Sequence, residues 1–71
     1  MADDWTLSDA KAYCKALREN GIKARAVSRK NHDSYAKIYY KGKDDLALAK
    51  KILSNLEEQG ILPYVYYEKD V

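Results

Sequence analysis

Leu7, Ala10, Tyr13, Cys14 and Leu17 recur at helical spacing and form one apolar stripe, so the chain opens with an amphipathic helix over about residues 7–20. Thr6 suits its N-cap, with Asp9 three residues on in the place of a capping-box acid, and Trp5 stands where a hydrophobic staple begins. Asn20-Gly21 stops the helix. From Ile22 the period changes to two. Ile22, Ala24, Ala26 and Ser28 alternate with Lys23, Arg25, Val27 and Arg29, which predicts a half-buried strand over 22–29.

The polar stretch Arg29-Lys30-Asn31-His32-Asp33 reads as a turn, and a second strand over 34–41 completes a hairpin. Ala36, Ile38 and Tyr40 form its small and apolar side; Tyr35, Lys37, Tyr39 and Lys41 form the other. Gly42 breaks the strand, and Asp44 or Asp45 caps a second helix over 45–59 with the stripe Leu46, Ala49, Ile52, Leu53 and Leu56, ending before Gly60. A last strand covers 61–68. Ile61, Pro63, Val65 and Tyr67 are assigned to the helix side, and Leu62, Tyr64, Tyr66 and Glu68 to the other. The opposite register is nearly as apolar.

The order α-β-β-α-β over residues 1–71 predicts a single α+β two-layer sandwich: two helices on one face of a three-stranded mixed sheet. The crossover between the last two strands makes them parallel. This order is similar to a ferredoxin-like βαββαβ domain lacking its first strand. The two helix-Gly-Ile units, Arg18-Glu19-Asn20-Gly21-Ile22 and Glu57-Glu58-Gln59-Gly60-Ile61, are spaced in a way that resembles SPOR domains, a resemblance that implies binding of peptidoglycan glycan strands. In the ferredoxin-like pattern the absent strand lies between the two crossover strands. Either those strands close up, or a partner supplies a strand. The exposed edges of so short a sheet make a homodimer or a strand-adding partner an expectation to test.

Seven tyrosines and no phenylalanine sharpen this picture. The pairs Tyr39-Tyr40 and Tyr66-Tyr67, in extended structure, put one ring on each side of the sheet. The side without helices then carries Lys23, Arg25, Arg29, Tyr35, Lys37, Tyr39, Tyr64 and Tyr66, with Lys30 in the adjoining turn. Tyrosine combines a large apolar ring with a polar tip and little side-chain entropy to lose, so the pattern predicts a binding face.

Charge agrees with that reading. Residues 22–43 hold seven cations against the single acid Asp33, a balance of +6, while the rest of the chain carries six cations and ten acids, a balance of −4. The positive region suits an anionic partner, an acidic protein first and nucleic acid second. Arginine and tyrosine are favoured anchors of protein interfaces, whereas a base-stacking platform would resemble that of RNA-recognition motifs. The Gly-Phe-Gly-Phe core of that family is absent, and Ala36-Lys37-Ile38-Tyr39-Tyr40 shares only its aromatic character.

The remaining candidates read as ordinary structure. Cys14 lies in the apolar stripe as a small hydrophobe, and one cysteine excludes an internal disulfide, which fits a reduced, cytoplasmic setting. His32 is a turn histidine without a second metal ligand. Asp44 and Asp45 suit a helix start, and Glu57 and Glu58 a solvated face or an acidic patch for something basic. No phosphate-binding loop, nucleophile elbow or metal spacing occurs, and no apolar run approaches membrane-spanning length or a signal peptide. The expectation is a non-enzymatic binding protein without cofactor or metal. Its size is analogous to that of inhibitors and adaptors, including those that phages and other mobile elements direct at host machinery.

Overall fold

A computed structural model describes residues 5–30 and 33–70. The elements are α1 (Trp5–Glu19), β1 (Lys23–Val27), β2 (Tyr35–Tyr40), α2 (Lys43–Glu58) and β3 (Tyr64–Lys69). The strands form one sheet in the order β1-β2-β3, antiparallel between β1 and β2 and parallel between β2 and β3. This is the mixed α+β sandwich that the hydrophobic pattern predicts. The place of the absent ferredoxin-like strand is closed: β3 pairs directly with β2, and β1 and β3 are the two edges.

Small side chains on the sheet let α1 approach closely. Ala24, Ala36 and Ile38 meet Ala10, Tyr13, Cys14 and Leu17, all of them buried. The second helix buries only Ala49 and Ile52, with Leu48, Leu53 and Leu56 partly covered. Val65 and Tyr67 pack against the same core, which decides between the two registers of the last strand in favour of Tyr64 and Tyr66 outward.

The two Gly-Ile units are matching helix stops. Gly21 and Gly60 have φ of 80° and 85°, the left-handed region that costs a side chain least when it is absent. Ile22 N–H donates to Leu17 O at 2.9 Å and Gly21 N–H to Arg18 O at 3.0 Å; Ile61 N–H and Gly60 N–H do the same to Leu56 O and Glu57 O, each at 3.0 Å. Both are Schellman motifs, which satisfy carbonyls left over at the helix end.

The helix starts differ from the sequence expectation. Thr6 is not an N-cap: α1 already includes Trp5, and Thr6 is fully buried, its Oγ1 accepting from the Ser34 N–H at 3.1 Å. Asp9 does not close a capping box. Its Oδ2 accepts from the Leu62 N–H at 3.1 Å, tying α1 to the approach to β3. In α2 the cap is Gly42, and Asp44 and Asp45 occupy the first turn, where the helix dipole favours them. Asp45 reaches back to accept from the Lys41 N–H at 3.0 Å. The last strand begins at Tyr64 rather than 61. Pro63 has no N–H for a ladder, and the Leu62 N–H is spent on Asp9.

Candidate binding face

Strand register arranges the outward side chains in three rows across the sheet. They run Lys23–Tyr39–Glu68, Arg25–Lys37–Tyr66 and Val27–Tyr35–Tyr64. Seven of the nine residues expected from sequence thus share one face. Arg29 lies just past the end of β1 and joins them, its guanidinium 5.9 Å from the Tyr35 ring centre and 3.9 Å from Asp33. Lys30 is exposed in the turn, with no ring or carboxylate contact to the face among the described residues. His32 lies outside the described residues.

The face is divided in character. Near its cationic end, the Lys23 and Lys37 ammonium groups lie 5.5 and 5.6 Å from the Tyr39 ring centre. Attraction between a cation and the electron-rich face of a ring holds such groups together. Lys37 also pairs with Glu68 at 3.3 Å, and that hydrogen bond raises the lysine's pKa. At the other end Tyr35 and Tyr66 meet edge to face at 5.7 Å, and Trp5 comes within 6.2 Å of Tyr64. Trp5, Leu62, Tyr64 and Tyr66 are 50%, 54%, 51% and 63% exposed, and they are the large apolar side chains left open among the described residues. Leu62, just before β3, is exposed in step with Tyr64 and Tyr66.

Sequence reading missed Trp5 as part of this face. An aromatic residue just before an apolar stripe reads as a staple, whereas the Thr6–Ser34 and Asp9–Leu62 bonds set the start of α1 at the end of the sheet where β2 and β3 begin. It also missed a concavity of ≈ 400 Å³ lined by Lys11, Cys14, Lys15, Arg18, Arg25 and Ala26. Cys14 borders this space yet is buried; desolvation raises its thiol pKa, with Arg18 partly opposing. A protonated, buried thiol is a poor nucleophile.

Among the described residues no three His, Cys, Asp or Glu side chains gather to hold a metal, and no helix is long and apolar enough to cross a membrane. No family model, curated protein or solved structure matches this chain. The class is therefore defined by fold and face alone: a three-stranded α+β sandwich with a basic, aromatic open sheet.

Proposed function

We propose that this protein is a non-enzymatic inhibitor or adaptor that binds an acidic protein surface through its open sheet. The observation that carries this reading is the exposed aromatic group of Trp5, Tyr64 and Tyr66 beside the cationic rows of Lys23, Arg25 and Lys37. Exposed aromatic anchors with a charged flank suit a protein interface, where anchors supply affinity and cations steer encounter. Base stacking needs free ring faces. Tyr39 is instead approached by two lysines, and Tyr35 by Arg29 and Tyr66. The lone buried Cys14 fits a reducing, cytoplasmic setting.

Affinity capture with the wild-type protein and with Tyr66→Ala, Trp5→Ala and Lys50→Ala tests the reading. A specific protein should be retained by wild type and Lys50→Ala and lost from the two aromatic variants. Single-stranded RNA or DNA binding at micromolar affinity, steep in salt and dependent on Tyr39, would replace it with a nucleic-acid function. A concentration-dependent dimer whose formation alone needs Tyr66 would make a second copy the occupant.

A further inference from the structure

The ≈ 400 Å³ concavity lies between α1 and the free edge of β1. Lys11, Lys15 and Arg18 follow at intervals of four and three residues along one side of α1, and Arg25 and Ala26 supply the strand wall. We propose that this concavity is a binding site for a small polyanion carrying two or three linked phosphate groups. It is separate from the aromatic anchors of the open sheet and shares only Arg25 with that face.

Three observations carry the assignment. First, like charges four residues apart on a helix repel, yet Lys11 and Lys15 have no carboxylate within ion-pair distance among the described residues, although Glu19 lies four residues beyond Lys15. Arg25 is unpaired in the same sense. A bound anion relieves that repulsion. Second, Arg18 is held in place: its Nε donates to Ala24 O at 3.0 Å, which leaves its terminal N–H groups for a ligand. Together with the Ile22 N–H, which donates to Leu17 O, that bond turns the Ala24 backbone away from β2. By the two-residue period the Ala26 N–H does so as well, adding a backbone donor at the pocket wall. Third, Lys11 to Arg18 spans seven residues, about 10 Å of helix, more than one phosphate group bridges. A linked di- or triphosphate matches this length and takes both ammonium and guanidinium donors.

Amide NMR titration at low ionic strength with inorganic triphosphate, pyrophosphate, orthophosphate and citrate tests the site. Saturable shifts confined to the segments 11–18 and 24–26 are expected, with triphosphate binding tightest. Lys11→Gln/Lys15→Gln should weaken triphosphate by about tenfold or more, as loss of charge-assisted contacts implies, while Lys50→Gln/Lys51→Gln on exposed α2 leaves it unchanged. Absence of saturable shifts up to about 10 mM overturns the proposal, as does equal weakening in both double variants, the mark of diffuse charge attraction. Citrate binding as tightly as triphosphate overturns the phosphate class. Because these variants leave Trp5 and Tyr66 intact, failure here and failure of partner capture are separate results.

Discussion

The Tyr13 hydroxyl donates a 2.7 Å hydrogen bond to the Ala49 carbonyl and so joins α1 to the middle of α2. Tyr13 is fully buried, and the hydroxyl gives a ring in the core a specific partner that phenylalanine would lack. Burial first, then the neighbouring Tyr67 hydroxyl, drives its pKa well above the ordinary 10.0. For a group whose folded pKa is raised, the associated stability is complete below the unfolded value and falls as pH rises beyond it. Stability should therefore drop above pH 10.0, by up to about 1.4 kcal/mol per pH unit from this residue. Tyr13→Phe should cost about 1 kcal/mol at neutral pH and flatten that alkaline slope. Urea unfolding across pH 8 to 11 checks both; a slope unchanged by Tyr13→Phe would refute the role.

Thr6 holds the start of β2 to α1 through the Ser34 N–H. Both residues are buried, so a lost acceptor is not replaced by water at no cost. Thr6→Val keeps shape and removes the acceptor; it should destabilise by about 1–3 kcal/mol. Thr6→Ser keeps the oxygen and should recover most of that loss apart from the missing methyl. Equal melting of the two variants would show that packing, not the hydrogen bond, matters there.

The two helix stops should behave unlike the helix start. At Gly21 and Gly60 a Cβ would meet nothing within 4 Å, so the cost of alanine there comes from the left-handed backbone alone, about 1–2 kcal/mol each. Gly42 has φ −158°, extended backbone open to any residue, and caps α2 with no side-chain bond. Gly42→Ser adds that bond and should stabilise by a few tenths of a kcal/mol, about the margin by which serine exceeds glycine at an N-cap. Denaturation midpoints moving in opposite directions are the expected outcome.

The legible part of this chain was what periodicity controls. A stripe at helical spacing and strict alternation in Ile22–Arg29 and Tyr35–Lys41 define elements and faces locally, which is why Lys23, Arg25, Lys37 and Tyr39 could be placed together. The last strand could not be oriented from Ile61–Glu68, because both alternating sets are apolar; Val65 and Tyr67 are chosen only by what α1 and α2 leave open. Thr6 and Asp9 carried a true local signal for a cap, overridden by the longer-range acceptors needed by Ser34 and Leu62. Nothing in the spacing of Lys11, Lys15 and Arg18 says that the edge of β1 lies opposite.

Glu68 is the acid that interrupts the positive rows of the open sheet, and its 3.3 Å pair with Lys37 keeps that cation occupied. Glu68 is well exposed, with its side chain 55% accessible, so water replaces the pair readily when it is broken. Glu68→Gln should therefore leave the denaturation midpoint unchanged within error. Its effect should fall on recognition. Lys37 is released and the face gains a net positive charge, so association with an acidic partner should quicken and become more sensitive to salt, with little change in dissociation. Stopped-flow association at two ionic strengths reads this directly. A slower association in Glu68→Gln would mean that the partner contacts the carboxylate itself, and that the surface it presents there is basic.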